Sequence, residues 1–368
     1  MLVALKNDVF LPMFMKTKEV MEKQFNNVTR SKKIHEAVLF VENTKGDFSV
    51  SYGYGGKDKH TPFFIASVSK LFVTSCILIL REQKKLSLND LIINYIDKTT
   101  LDNLHIYKGE DYSHRLTISD LLFHKSGLPD GLIDSDILKH FIQADIDVSF
   151  DMALEKTKAL SPHFAPDTKN KAYYSDINFR LLVKIIENVT KTPLAQVYQN
   201  YICIPVGMTN TYLPTNSEDF IPTIYYNNET LYRPKFFNSD YNYDAISTAN
   251  DLMLFLKAFW NGALFSQTVF EQLSAYRKLQ MSMGPIYYGG GYMQIPMKSI
   301  LTLFMGKGEL IGHSGISGSF AFYYPEKDLF FVGDLNQMAK PELPIRLLIK
   351  LAMSVKNFTK NIVRITRV

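Results

Sequence analysis

The feature that most limits how this chain can fold is the placement of its strand-forming residues. Period-two runs of β-branched and aromatic residues lie at both ends, over 35–43 and 47–55 near the start and over 309–313, 319–324 and 329–336 near the end. The stretch between them reads as helical. Residues 67–82, 89–96, 117–125, 151–160 and 177–189 show apolar spacing of three and four, punctuated by Pro and Gly. A helix over 15–28 precedes the first strand pair, and one over 343–355 follows the last strand. Strands at both ends with helices between make the middle an insertion into one α/β layer structure. The expectation is a discontinuous α/β domain of residues 1–82 and 245–360, a mainly helical inserted domain over 83–244, and a basic tail over 361–368. A chain of 368 residues that is 46% hydrophobic has ample core for such a body.

One Ser-x-x-Lys occurs in the chain, Ser67-Val68-Ser69-Lys70, where a turn-rich segment runs into the apolar helix SVSKLFVTSCILILRE. Residues three apart on a helix share a face, so the Ser67 hydroxyl and the Lys70 amine lie close together. A serine hydroxyl is a weak nucleophile at neutral pH and needs a neighbour to take its proton. The first-turn N–H groups of the helix also point at negative charge developing there. The plainer reading of this tetrapeptide makes Ser67 an N-cap and Lys70 a solvated lysine.

Further motifs in order favour the chemical reading. Tyr174-Ser175-Asp176 stands within YYSDINFRLLVKIIENVT, and His313-Ser314-Gly315 stands within the late strand signals. Between them fall LLFHKSGLPDG from Leu121, VGMTNTY from Val206 and ISTANDLMLFL from Ile246. With Phe64-Ile65-Ala66-Ser67-Val68-Ser69-Lys70, these stretches span roughly residues 35–335 and resemble the penicillin-recognising serine hydrolases. The resemblance is to the branch of class C β-lactamases, D-Ala-D-Ala carboxypeptidases and related esterases. It implies an α+β, β-lactamase/transpeptidase-like fold, a mostly antiparallel sheet flanked by helices, with the site in the cleft beside the inserted helical domain. It also implies that Ser67 becomes acylated and that Lys70 and Tyr174 form the proton-transfer pair, either of them being the base. Asp176, His313, Ser314, Gly315 and Ile316 would contact substrate, with the backbone N–H groups of Ser67 and Ile316 as the oxyanion hole.

Two positions depart from the commonest pattern of that family. Asp176 replaces an asparagine and, when ionised, only accepts hydrogen bonds, so it either turns away a substrate carbonyl or holds Lys70 charged. As a preferred N-cap residue it can also simply cap the helix beginning near Ile177. His313 replaces a lysine and is largely neutral at pH 7, so a substrate carboxylate loses a fixed cation. The expected activity is a serine hydrolase of carboxylesterase or D-peptidase type on small esters or peptide-like amides, with β-lactamase activity weak or absent. The alternatives are a D-Ala-D-Ala carboxypeptidase or D-amino-acid peptidase, a penicillin-binding or acyl-sensing protein without turnover, and a noncatalytic scaffold.

Other classes find little support. There is no Gly-x-Ser-x-Gly and no His-Glu-x-x-His, the histidines are scattered, and neither a metal nor another cofactor is expected. His124 reads as a structural, turn-supporting residue. Gly289-Gly290-Gly291 lacks a following Lys-Ser/Thr and reads as a tight turn rather than a phosphate loop. A net charge of +5 with dispersed lysines argues against nucleic acid. Cys76 and Cys203 sit among apolar residues as small core side chains. Lys6, Asn7 and Asp8 interrupt the apolar start before a secretory core develops, and the apolar run within 71–80 is about half a membrane span. The expectation is a soluble, cytoplasmic protein without stable membrane insertion, or an exported one if an export signal precedes the given residues. The aromatic stretch 211–243 is expected to roof the substrate cleft, with Tyr226 and Tyr241 as its test positions.

Overall fold

The computed structural model describes residues 4–355, and the basic tail expected over 361–368 lies outside the described residues. The two ends of the chain meet in one eight-stranded antiparallel sheet. Its strands are β1 (Ala37–Glu42), β2 (Ser49–Tyr54), β3 (Arg277–Lys278), β4 (Tyr287–Tyr288), β5 (Met293–Pro296), β6 (Glu309–Ser314), β7 (Ser319–Tyr324) and β8 (Leu329–Asp334). They lie in the order β2-β1-β8-β7-β6-β5-β4-β3. The joint is the β1–β8 ladder, which sets Val38 opposite Asp334 and Glu42 opposite Phe330. Pro325 and a left-handed Asp328 (φ 50°) turn β7 back into β8. β8 is buried along its whole length, as a strand covered on both faces must be, and its LFFVGD sequence supplies the apolar residues for both.

Five helices matter for the site and its setting: α1 (Ala4–Thr29), α2 (Lys70–Glu82), α3 (Asp176–Thr190), α4 (Ala249–Asn261) and α5 (Leu343–Ser354). α4 packs across β1, β7 and β8, while α1 and α5 pack on each other and on β2 and β7 respectively. α2 sits between α3 and β6 and is buried along most of its length, which its apolar sequence allows. Residues 83–244 supply helices and two short hairpins but none of the eight strands. The α+β class and the large antiparallel sheet agree with the sequence reading.

Two local expectations fail for identifiable reasons. The helix expected over 89–96 is a single 3-10 turn, Ile92–Asn94. There the backbone bonds sideways: Ile92 N–H donates to the Leu116 carbonyl at 2.9 Å and Ile118 N–H to that of Asp90 at 3.0 Å. The helix expected from residue 67 begins instead as a 3-10 turn, Ala66–Ser69, and becomes α-helical only at Lys70. Ala66 has φ 46°, a left-handed conformation that costs a non-glycine residue energy and swings the chain sharply at Ser67.

A buried ion pair ties the segment leading to Ser67 onto the sheet. Lys57 Nζ lies 2.8 Å from Asp334 at the end of β8 and 2.7 Å from Glu36 before β1, with the Lys57 and Asp334 side chains each 2% exposed. Burial alone would lower the Lys57 pKa, but the two carboxylates outweigh it and the amine stays charged. Just past Asp334, Leu335 and Gln337 donate backbone hydrogen bonds to the carbonyls of Gly318 and Ser317. The same corner therefore fixes both the approach to Ser67 and the loop after β6. Replacing Lys57 with Met leaves Asp334 buried without its cation and should cost about 3–5 kcal/mol in a denaturant titration. Adding Asp334→Asn should recover part of that loss.

Candidate active site

Two helix starts face each other across the sheet edge, and their first side chains touch. Lys70 opens α2 and its Nζ is 3.2 Å from Ser67 Oγ. Asp176 opens α3 and lies 2.7 Å from the same Nζ through Oδ1. The third Lys70 proton goes to the Tyr243 hydroxyl at 2.6 Å. An ammonium has three donors, so Lys70 is fully satisfied as a cation although its side chain is wholly buried. Burial alone would lower its pKa, but Asp176, with Tyr174 and Asp244, holds it above the ordinary lysine value.

Asp176 is met from several directions. Its Oδ1 also accepts the Tyr243 hydroxyl at 2.6 Å, while Oδ2 accepts the Tyr241 hydroxyl at 2.9 Å and Arg180 Nε at 3.4 Å. Burial would raise its pKa, yet Lys70, Arg180 and the Tyr243 bond pull it well below the usual carboxylate range. The start of a fifteen-residue helix favours the same charge. Of the two sequence readings, the structure shows the ion pair with Lys70; the cap position of α3 belongs to Ser175. From the sequence Tyr241 and Tyr243 were read only as part of an aromatic roof, and Arg180 was not singled out. Arg180 had a signal, since it stands four residues after Asp176 on one helix face.

The turn carrying Tyr174 is gripped from both sides. Gln280 accepts the Tyr174 N–H at 2.9 Å and donates to its carbonyl at 3.4 Å. On the other side the LLFHKSGLPDG segment forms a cradle. His124 Nδ1 accepts from Ser175 N–H at 3.3 Å and faces the Asn178 amide at 2.9 Å, while its ring packs 4.6 Å from that of Tyr174. Ser175 Oγ donates to the Pro129 carbonyl at 2.8 Å, and Asp176 N–H donates to Asp130 Oδ2 at 3.1 Å. Burial and the nearby Asp176 push the Asp130 carboxyl up to about 7. Burial likewise pushes Asp244 up to about 6, against the pull of Lys70.

The Tyr174 hydroxyl joins Ser67 and Lys70. Burial raises its pKa, while Lys70 and hydrogen bonding from Ser67 act in the opposite direction by favouring the phenolate. Since Lys70 donates to Ser67 Oγ, the serine keeps its own proton free for another acceptor, and Tyr174 is a neighbour that could take it.

The end of β6 supplies the opposite wall. His313 is fully buried, with Nδ1 2.8 Å from the Ser314 carbonyl and Nε2 3.3 Å from the Tyr288 hydroxyl. Nδ1 therefore donates and Nε2 accepts, which is the neutral ring. Burial and the Lys70 charge lower the His313 pKa to about 3. Gly315 has no room for a side chain: a Cβ there would stand 2.7 Å from Ala66 Cβ and 2.8 Å from the Ile65 carbonyl oxygen. The strand end thus presses against the Ser67 turn, and Ile316 is left lining the same cleft as Ser67. Ser314 is half-buried with its hydroxyl 3.8 Å from Met293 Sδ, and of the expected substrate contacts His313, Ser314, Gly315 and Ile316 only Ile316 lines the cleft.

That cleft is narrow, with room of about 50 Å³ for the centres of water-sized molecules. Its walls are apolar, including Phe64, Leu132, Leu138, Phe141, Phe236 and Met338, and its floor holds Ser67, Asp176, Arg180 and Asp244. Of the two test positions for the aromatic roof, Tyr241 reaches the cleft, but as a buried hydrogen-bond donor to Asp176, and Tyr226 is not among the lining residues. Among the described residues there is no cluster of His, Cys, Asp and Glu able to hold a metal and no helix long and apolar enough to cross a membrane.

Comparison with known proteins follows the same lines. Residues 30–352 match the family model described as Beta-lactamase. PbpX of Bacillus subtilis, named for penicillin binding, is 27% identical over 281 residues, covering 70% of this chain and 65% of that protein. The chain thus spans less than two thirds of that relative's length. Among solved structures, the D-stereospecific amidohydrolase from a Streptomyces species superposes with a TM-score of 0.69 at 21% identity, covering 88% of this chain and 94% of that one. EstCE1, a hydrolase with promiscuous acyltransferase activity, gives 0.74 at 17% identity, covering 93% and 99%. At these identities the two structures speak for the fold alone.

The ion pair makes a prediction about pH. Removing the Asp176 charge favours loss of a proton from Lys70 and, to a lesser degree, from Tyr174, because that carboxylate raises both pKa values. In Asp176→Asn the acidic limb of the kcat/KM profile should move down by roughly 1–3 pH units, whichever of the two is the base. A limb that stays in place or moves up would show that Asp176 does not control the reacting proton.

Proposed function

The chain belongs to the beta-lactamase family, and from that membership we propose a serine hydrolase whose Ser67 forms an acyl-enzyme with small, neutral esters or peptide-like amides. The observation that carries the reading is the apolar cleft opening on a Ser67 hydroxyl that Lys70 touches and Tyr174 faces. Ser67 Oγ attacks the substrate carbonyl as its proton passes to a Tyr174 phenolate, which the Lys70 charge favours. The backbone N–H groups of Ser67 and Ile316 receive the oxyanion, and Tyr174 passes the proton to the departing alkoxide or amine. Water then repeats the sequence in reverse and frees Ser67.

Charge supports a neutral substrate. Lys70 and Arg180 are already opposed by Asp176 and Asp244, with Asp130 as a third acid close by. His313 adds no charge. A substrate carboxylate, as in D-Ala-D-Ala peptides or penicillins, finds no surplus cation here, whereas an apolar acyl group fits the Phe141, Leu138 and Phe236 walls. A second reading rests on the resting protonation state. With Lys70 held charged and burial keeping Tyr174 protonated, a protein acylated at Ser67 but slow to deacylate is the competing outcome.

Intact mass and product release on a p-nitrophenyl butyrate, a fluorescent penicillin and a D-Ala-D-Ala peptide separate these readings. The butyrate should turn over fastest, and Ser67→Ala should lower that rate by roughly four orders of magnitude or more. Leu138→Ala should raise KM for the butyrate about five- to tenfold with less change in kcat. Faster turnover of the carboxylate substrates would reject the ester preference, and a stable adduct without turnover would establish the slow-deacylation reading.

A further inference from the structure

The hairpin between β5 and β6 ends in a turn that displays apolar side chains to solvent. Ile300, Leu303, Phe304 and Met305 are 71%, 74%, 63% and 68% exposed. Scattered exposed leucines need no explanation, but four large apolar residues within six positions do.

This turn is built rather than frayed. Met297 N–H donates to the Gly308 carbonyl at 2.9 Å, Phe304 N–H to that of Ser299 at 2.9 Å, and Met305 N–H to that of Thr302 at 3.0 Å. The buried Thr302 hydroxyl points inward to the carbonyls of Met297 and Ser299. Leu303 and Phe304 both adopt positive φ, 49° and 60°, a conformation that bulky residues rarely adopt. The backbone is therefore satisfied in a conformation that keeps the apolar side chains outside. Such strain in residues with no packing role marks a surface with a job.

Charge identifies the occupant. Segment 297–308, Met-Lys-Ser-Ile-Leu-Thr-Leu-Phe-Met-Gly-Lys-Gly, carries exposed Lys298 and Lys307 and no acid. Glu309, the next residue, is turned into a bond with Gln294. The 3-10 turn Ile300–Thr302 packs on α5. Apolar tips flanked by lysines match an interface whose outer layer is anionic and whose interior is hydrocarbon.

We propose that the 297–308 turn docks this protein on the surface of an anionic lipid bilayer, inserting Ile300, Leu303, Phe304 and Met305 below the headgroups. The contact is interfacial and reversible, in keeping with the absence of a spanning helix among the described residues. The turn sits at one end of β6 and Ser314 at the other, about 20 Å away at the rise of an extended strand. Docking therefore leaves the Ser67 cleft clear of the bilayer and does not depend on the reaction proposed for it.

The test is cosedimentation of the full chain with vesicles of phosphatidylglycerol and phosphatidylcholine in equal parts, beside vesicles of phosphatidylcholine alone. Binding to the mixed vesicles should fall about tenfold or more in Leu303→Ser/Phe304→Ser, each side chain being a large share of the inserted apolar area. Lys298→Glu/Lys307→Glu should weaken binding at low salt in particular. Thermal melting should be unchanged or raised in the serine variant, which separates lost docking from lost folding. Equal binding to both vesicle types, binding indifferent to the serine variant, or a concentration-dependent dimer that the serine variant dissolves would each overturn the proposal. The last outcome would assign the turn to a second copy of this chain.

Discussion

The Lys70–Asp176 ion pair is the contact on which the rest of the site depends, because it joins the first residue of α2 to the first residue of α3. A buried pair of charges repays its desolvation only when its remaining donors and acceptors are also satisfied. Here Tyr243 bridges the two groups, Tyr241 and Arg180 take the other carboxylate oxygen, and Arg180 lies against the rings of Tyr241 and Tyr243 at 3.7 and 3.9 Å. Loss of any one member leaves the others buried and short of a partner. The cluster is thus stable only as a unit, and Ser67 and Tyr174 are placed by it.

How much of this was legible in the sequence follows from sequence distance. Strand β7 was readable to the residue, since SFAFYY alternates cleanly and is closed by Pro325. Ser67 and Lys70 were readable because three residues on one helix face put them in contact whatever the tertiary fold. Tyr174 and His313 were placed by resemblance to a known pattern, not by local physics. Tyr241, Tyr243 and Asp244 were not legible as members of the cluster around Lys70 and Asp176 because their contacts are long-range, and an aromatic-rich segment reads equally well as a roof or as core. The segment 89–96 failed for a related reason: its apolar spacing suits a helix, but a neighbouring chain at Leu116 offered its backbone better bonds.

The same long-range packing underlies the substrate preference proposed above. Asp130, Asp176 and Asp244 crowd one region, and two of the three are pushed up toward neutrality while the one facing Lys70 is held down. Like charges brought together in a dry site cannot all ionise freely. Lys70 and Arg180 settle the balance in favour of Asp176, and little positive potential remains to draw in an anion. On that proposal the apolar walls above this floor would supply most of the substrate affinity.

Two phenols meet Lys70, and their hydrogen bonds separate their roles. Tyr243 accepts from Lys70 and gives its own proton to Asp176, so that proton already rests on the strongest acceptor in the site. For Tyr243 to accept a further proton it would have to break that bond and compete with a carboxylate. Tyr174 has no hydrogen bond to a carboxylate among the described residues, and Lys70 and Ser67 are the two groups that favour its phenolate. Lys70, with all three donors engaged, has no lone pair to offer. On our reading Tyr174 carries the proton although burial leaves its pKa raised, with Lys70 favouring its phenolate and Asp176 opposing it. On the same reading a carboxylate at position 176 acts through the charge of Lys70 rather than by touching substrate.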